Sequence, residues 1–131
     1  MRSRARNFIA RRIASFRYAF QGWWYVIRTQ RNAWIHAIAS TLVIALAAWL
    51  RLPAVEWAIL ILVIALVWSA EFLNTAIEAV VDLASPAQHP LAKVGKDVGA
   101  AAVLIAAGAS VIIGLLILGP PLLTKILFLL Q

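Results

Sequence analysis

The sequence predicts an all-α integral membrane protein, in which an N-terminal amphipathic surface helix precedes three transmembrane helices. Of its 131 residues, 64% are hydrophobic and only 13% are charged, which is more apolar surface than a small soluble core could bury. The apolar residues form long segments with short breaks, and most basic residues precede the first of these segments. At this length we expect residues 1–131 to form a single domain.

The surface helix is predicted over residues 7–30. Its apolar side chains recur at steps of three and four, which places them on one stripe of a helix. The stripe consists of Ile9, Ile13, Phe16, Phe20, Trp23 and Ile27. Arginines surround these side chains, as is typical of a helix that lies in a membrane surface. A helix that packs on the other helices would show the same pattern, and the two interpretations are compatible.

Three apolar segments follow, and we expect each of them to cross the membrane as a helix. They cover residues 33–50, 57–83 and 97–118. A turn with Pro53 separates the first two segments, and "SPAQHP" at 85–90 interrupts the chain twice with proline. We expect "GPP" at 119–121 to end the third helix, which leaves 119–131 as an apolar tail too short to span a bilayer.

The basic residues predict the orientation of these helices. Eight of the twelve Lys and Arg residues precede residue 32, and Lys93 and Lys96 follow the second apolar segment. With a cytoplasmic N-terminus, only Arg51 and Lys125 would lie outside, as the preference of basic loops for the cytoplasm requires. We therefore expect a multi-pass protein of the cytoplasmic (inner) membrane. Because basic residues here flank a membrane segment and attract anionic lipid, we expect no nucleic-acid partner.

The second apolar segment contains polar residues on one face of its C-terminal half. Within "WSAEFLNTAIEAVVDL" (68–83), five polar residues share a face about 100° wide at 3.6 residues per turn. They are Glu71, Asn74, Thr75, Glu78 and Asp82. Glu71 lies about 21 Å along the helix from Trp57, near the inner boundary of a hydrocarbon layer about 30 Å thick. A carboxylate at this depth is a candidate general base. The alternative is a polar seam that holds helices together, which would account for Asn74 but poorly for two carboxylates.

The third apolar segment begins with "LAKVGKDVGAAA", where basic and acidic residues lie beside the predicted polar face. Lys96 supplies a cation for phosphate, and the carboxylates could bind a divalent metal; Asp97 could equally act as a helix cap. His36 and His89 are ambiguous between a ligand and an ordinary structural residue. The chain has neither of the familiar glycine-rich nucleotide-binding loops. The residues alone therefore leave an enzyme and an ion pathway as alternatives.

Two segments together resemble a known family. "AEFLNTAIEAVVDL" and "HPLAKVGKDVGAAAVLIAA" closely resemble the signature of the small prokaryotic diacylglycerol kinases, a family that includes undecaprenol kinases, and the similarity extends from about 11 to 114. The resemblance implies a homotrimeric helical bundle with three transmembrane helices per chain. It also implies transfer of the γ-phosphate of ATP, with Mg²⁺ as cofactor, to the hydroxyl of a membrane lipid alcohol.

The resemblance also implies roles for individual residues. It makes Glu71 the general base and Asn74 its polar support. It assigns ATP binding to Arg11, Tyr18, Gln30, Glu78, His89, Lys96 and Asp97, and metal binding to Glu78 and Gln30. Contacts with the lipid substrate are expected from Arg11, Ser15, Trp24 and Glu71. Gln30 departs from the family pattern, which usually has a second metal-binding glutamate there; either metal affinity is weaker, or another carboxylate substitutes.

The lipid substrate is predicted from two shorter segments. "NAWIHAIAS" and "SPAQHPLAK" look closer to the undecaprenol kinases, so we expect undecaprenol as the main substrate, with diacylglycerol as the alternative. Two other functions are consistent with the sequence. A non-catalytic lipid-binding homologue, disabled by Gln30, would bind ligand without turnover. A small oligomeric ion pathway lined by Glu71 and Glu78 would conduct without ATP.

Overall fold

The computed structural model describes the backbone of residues 2–87 and 89–130, and the side chains of residues 14–87 and 89–130. These residues form four helices: α1 (Arg2–Thr29), α2 (Arg31–Leu50), α3 (Ala54–Ala84) and α4 (Pro90–Leu129). The last three are long and apolar enough to cross a membrane. This confirms the prediction of an all-α chain with three helices able to span a bilayer.

The C-terminal end of α1 packs on the other helices. Val26 and Ile27 are buried together with Ala33, and Trp68 and Phe72 of α3 pack against them. Elsewhere on the predicted apolar stripe, Phe16 and Phe20 are exposed, whereas Ile9 and Ile13 lie outside the described side chains. The described part of α1 therefore combines one packed turn with an outward apolar face.

A tight turn joins α2 to α3 and closes the end of the bundle away from α1. Arg51 adopts the left-handed conformation (φ 57°, ψ 49°) that commonly ends helices, and the Leu52 N–H donates to the Ala47 carbonyl at 3.2 Å. Leu52 is buried with Ala47, Leu60 and Leu118. This cluster of side chains from α2, the turn, α3 and α4 fixes the spacing of the three long helices at this end.

The third long helix extends beyond its predicted bounds of 97–118. It begins at Pro90, where a proline in the first turn is tolerated because its missing N–H would have no partner there. The prediction that "GPP" ends the helix is wrong, since Pro120 and Pro121 lie inside α4. The tail is instead held in place by Lys125, whose Nζ donates to the Trp49 carbonyl at 2.8 Å and lies 4.1 Å from the centroid of the Trp49 ring.

The buried face of α3 changes character along its length. It contains Leu60 and Val67 in its first half, and Glu71, Asn74 and Thr75 in its second half. α3 packs mainly against α4, which buries Gly99, Val103 and Ala106. The helix packing therefore encloses Glu71, Asn74 and Thr75 of the predicted polar face, whereas Asp82 at its far end is exposed, and the candidate site lies at the enclosed part.

Candidate functional site

Glu71 is the centre of the site, because it is a fully buried carboxylate with 1% relative exposure. His36 of α2 lies opposite, with its Nε2 atom 3.6 Å from Glu71 Oε2. Within the part of the chain that the structure describes, four buried atoms have no hydrogen-bond partner: both Glu71 oxygens, His36 Nε2 and Asn74 Oδ1. Buried polar atoms are nearly always bonded in native proteins. A group of unpaired atoms around one carboxylate therefore indicates a place for a ligand.

Glu78 lies two turns further along α3 and accepts hydrogen bonds from two amides. Asn74 Nδ2 donates to its Oε1 atom at 3.1 Å, and Gln30 Nε2 donates to its Oε2 atom at 3.4 Å. Gln30 reaches this position because it forms the extended break between α1 and α2 (φ −101°, ψ 119°). The structure thus brings together Gln30 and Glu78, the two residues assigned to metal binding, and links them to Asn74.

Glu78 and the neighbouring amide Gln30 could bind a magnesium ion that is also coordinated by phosphate. The described residues contain no group of three or more His, Cys, Asp or Glu side chains that could hold a metal by themselves. The Glu78 carboxylate is the charged donor at this position, and the Gln30 amide, which now faces it through Nε2, could present its oxygen after rotation of the amide; Asn74 Oδ1 packs against Gly99 instead. Mg²⁺ commonly uses one or two carboxylates and completes its coordination with substrate phosphates and water. This donor set is consistent with that mode of binding.

A cavity of about 320 Å³ connects Glu78 with the surroundings of Glu71. One wall is polar, with His36 and Asn32 of α2, Asn74 and Glu78 of α3, and Gln30 from the break between the first two helices. The opposite wall is formed by small and aliphatic side chains of α4. A reacting group in this cavity would meet hydrogen-bonding partners on one side and a dry surface on the other.

The second cluster of charged residues lies where α3 ends and α4 begins. A cleft of about 420 Å³ is lined by Asp82, Ser85, His89, Lys93, Lys96 and Asp97. Lys96 Nζ lies 2.9 Å and 3.2 Å from the Asp82 oxygens, and Lys93 pairs with Asp97. Exposed ion pairs of this kind contribute little to stability, because water screens the charges. A phosphate could therefore replace the carboxylates as partner of the lysines at little cost.

His89 has a structural position within this cleft. Its Nδ1 atom accepts from the Leu91 N–H at 3.2 Å, so His89 caps the N-terminus of α4. The cap holds the first turn of α4, which carries Lys93 and precedes Lys96. The residue lines the candidate phosphate cleft and also fixes the helix that presents the lysines to it.

The candidate residues on α1 are less closely tied to this centre. Tyr18 and Trp24 are exposed, and arginines of their own helix, Arg17 and Arg28, lie over their rings at 5.8 Å and 4.7 Å from the centroids. Ser15 is also exposed on this helix. The Arg11 side chain lies outside the described part of the structure. Their assignments to ATP and lipid remain predictions.

His36 and Trp68 are the residues of this site whose position the sequence did not reveal. The Trp68 ring lies edge-on to the His36 ring at 6.3 Å and stacks on Trp23 of α1 at 6.1 Å. Its Nε1 atom donates to Ser40 Oγ at 3.2 Å. The sequence offers one indication, a histidine within a largely apolar helix, but the residue that this histidine faces lies on another helix.

The comparisons with known proteins match this chain over most of its length. The sequence model described as prokaryotic diacylglycerol kinase matches residues 17–118. A diacylglycerol kinase of Synechocystis is 49% identical over 113 residues, which are 86% of this chain and 65% of that protein. The chain therefore spans about two thirds of the length of that relative. An undecaprenol kinase of Bacillus subtilis is 45% identical over 117 residues, which are 89% of this chain and 95% of that protein.

Gly99 allows α4 to approach Asn74, and its replacement gives a test of this packing. A Cβ atom at position 99 would overlap the Asn74 amide oxygen, whereas a Cβ atom at position 108 would meet nothing within 4 Å. We expect Gly99→Ala to destabilise the protein by roughly 1–3 kcal/mol, as overpacked sites do. Gly108→Ala is the matched control and should leave stability unchanged or raise it slightly, since alanine favours helix. Thermal unfolding in detergent measures both, and equal midpoints for the two variants would contradict the packing described.

Proposed function

This chain belongs to the prokaryotic diacylglycerol kinase family, and on that premise we propose that it is an ATP-dependent lipid kinase. The reaction transfers the γ-phosphate of Mg-ATP to the hydroxyl of a membrane lipid alcohol and yields the lipid monophosphate. The observation that carries the proposal is the buried Glu71 carboxylate, 1% exposed and without a hydrogen-bond donor among the described residues. An isolated carboxylate in a membrane helix costs several kcal/mol and points to function.

Glu71 acts as the general base in this proposal. A long-chain alcohol places its hydroxyl at the boundary between acyl chains and headgroups, where the buried face of α3 changes from apolar to polar. Glu71 accepts the hydroxyl proton while the lipid oxygen bonds to the γ-phosphorus, and the bond from that phosphorus to ADP breaks. Because no donor in the described chain occupies either Glu71 oxygen, both are able to accept the proton.

Residues further along α3 than Glu71, at the start of α4 and at the break before α2 position the phosphate and its metal ion. Lys96 exchanges its Asp82 partner for a phosphate oxygen, and Asp97 and His89 contribute to the same nucleotide cleft. Glu78 and Gln30 would hold Mg²⁺, with Asn74 keeping the Glu78 side chain in place through its amide. When bound, the ion supplies positive charge that offsets the charge of the phosphates. Phosphoryl transfer depends mainly on such positioning and electrostatic stabilisation.

The substrate is proposed as undecaprenol, with diacylglycerol as the second candidate. Both lipids present a single hydroxyl to the site, and relatives named for each are similar to this chain. The identities to the two relatives, 49% and 45%, do not separate the two lipids. The preference for undecaprenol rests on the segments "NAWIHAIAS" and "SPAQHPLAK".

The protein is proposed to lie in the inner membrane with its N-terminus in the cytoplasm. That orientation places Lys93 and Lys96 on the side where ATP is available. It also places the turn with Arg51, and Lys125 beside Trp49, on the opposite side. The basic N-terminal residues then remain on the cytoplasmic side, in keeping with the preference of such segments.

A homotrimer, the state that the family resemblance implies, is proposed because a single chain leaves its polar cavity open between helices. Asn32, on the polar wall of that cavity, is exposed, and so is Leu104 on its α4 wall. A polar opening at membrane depth is unfavourable unless protein covers it. We expect light scattering in detergent micelles to give a protein mass of three chains of 14.3 kDa each. A monomeric mass for active protein would contradict this part of the proposal.

Loss of the Glu71 carboxylate is the direct test of the reaction. We expect wild-type protein to transfer phosphate from labelled ATP with Mg²⁺ to lipid in mixed micelles, and Glu71→Gln to reduce the rate by roughly 10²–10⁴-fold, as loss of a general base does. Undecaprenol and diacylglycerol are offered in parallel, and the ratio of the two rates identifies the preferred lipid.

Glu56→Gln is the matched control for that experiment. It makes the same substitution in the first turn of the same helix, far from the site, and should leave the rate unchanged. Absence of transfer to either lipid from folded wild-type protein would contradict the lipid kinase proposal. Binding of lipid and ATP without turnover would then favour a non-catalytic homologue, and conductance in vesicles without ATP would favour an ion pathway.

Gln30→Glu tests whether residue 30 contributes to metal binding. A second carboxylate beside Glu78 adds negative charge at the proposed magnesium position. We expect the Mg²⁺ concentration that gives half-maximal transfer to fall. Asn32→Asp is the control, because it adds the same charge to the same cavity wall at another position. An equal fall in both variants would show a general effect of charge rather than coordination by residue 30.

A further inference from the structure

His36 is a largely buried polar residue to which the proposed reaction gives no role. Its side chain is 13% exposed, and its Nε2 atom lies 3.6 Å from Glu71 Oε2. This distance is too long for a hydrogen bond. Neither of these two atoms has a hydrogen-bond partner elsewhere in the described chain. Two complementary groups therefore face each other across a short gap with no competing contacts.

The surroundings of the imidazole favour Glu71 as its partner. Glu78 is the only other carboxylate among the residues that line the two cavities beside His36, and both of its oxygens already accept from amides. The α4 residues in those cavities, which include Ala100, Val103 and Ser110, carry no charge. No other charged group that lines these cavities competes for His36.

Trp68 fixes the positions of His36 and Glu71 relative to each other. Its ring meets the His36 ring edge-on, and its Nε1 atom bonds Ser40, one turn after His36 on α2. On α3, Trp68 lies three residues before Glu71 and therefore near it on the helix surface. The cavities of about 320 Å³ and about 70 Å³ beside the imidazole leave room for a small movement of the ring.

We propose that His36 is a positioning residue for Glu71. With lipid bound, His36 Nε2–H donates to Glu71 Oε2 and holds the carboxylate so that Oε1 receives the proton of the lipid hydroxyl. The inference rests on the proposed role of Glu71 as general base. Hydrogen bonds to catalytic groups are often long in the absence of substrate and shorten in its complex. A base that is itself oriented by a third group is a recurring arrangement in enzymes.

Two polar substitutions of different length test the inference. His36→Gln keeps an N–H donor at about the reach of Nε2, whereas the amide of His36→Asn ends one methylene short of it. We expect His36→Asn to lower kcat roughly 10- to 100-fold, as loss of an orienting partner does, while the KM values for ATP and lipid stay near wild type. His36→Gln should retain most of the wild-type kcat.

A structural role would give a different pattern. If His36 only packs α2 against α3, the Asn and Gln variants should lose activity together with their thermal midpoints, and kcat should not distinguish them. Thr41→Ala, an exposed substitution on the same helix, is the control for general effects of altering α2. Wild-type kcat in stable His36→Asn protein would overturn the inference while leaving the lipid kinase proposal intact. An inactive wild-type protein would overturn both.

Discussion

The architecture depends on one constraint, which is that a carboxylate is buried between membrane-spanning helices. Burial of Glu71 is unfavourable unless its surroundings supply partners or a ligand completes them. Most of the outward residues of the helix that carries it are apolar, and its buried polar residues lie on the face that meets α2 and α4. Asn74 and Thr75 extend that polar face, and His36 faces it from α2. The site is thus a polar interior enclosed by apolar surfaces, the reverse of the usual arrangement of a soluble protein.

The other helices contribute to this polar interior in different ways. Gln30, the extended residue between α1 and α2, contacts Glu78, which lies 48 positions further along the sequence. The small residue Gly99 lets α4 come close to Asn74 without displacing its amide. The His89 cap starts α4 at the right place for its lysines to line a cleft with Asp82. The surface helix α1 contacts the same region through Trp23, which stacks on Trp68. Each element therefore meets the others near the same half of α3.

The sequence predicts those features that depend on local periodicity. The helical class, the three long apolar helices and the shared face of Glu71, Asn74 and Glu78 follow from spacing along one helix. The end of α4 was predicted wrongly because proline usually terminates helices, whereas here Lys125 and Trp49 hold the segment beyond it. That contact joins residues 76 positions apart, and no local pattern reports it.

Side-chain pairing was less predictable for the same reason. Lys96 and Asp97 are neighbours in sequence, yet they do not pair, because adjacent residues point to different sides of a helix. Lys96 instead pairs with Asp82 of α3, which no local pattern reports, whereas Asp97 pairs with Lys93 four residues before it on the same helix face. His36 remained ambiguous, since a lone histidine in an apolar helix shows nothing about the partner on another helix. The position of Gln30 beside Glu78 followed only from the family resemblance, and the structure supplies its physical basis in the break before α2.

Because Glu71 and Glu78 lie on one continuous helix, α3 fixes both the distance and the angle between the two carboxylates. They are seven positions apart, which is about two turns and about 10.5 Å of helix rise. A single inserted or deleted residue between them would rotate one carboxylate by about 100° and turn it toward lipid or a neighbouring helix. Substitutions of the outward residues of this segment leave that spacing intact. The outward residues of this segment can therefore vary, whereas its length and the buried Asn74 and Thr75 cannot change without disturbing the site, and we expect an insertion here to be far more damaging than one in the loop before α4.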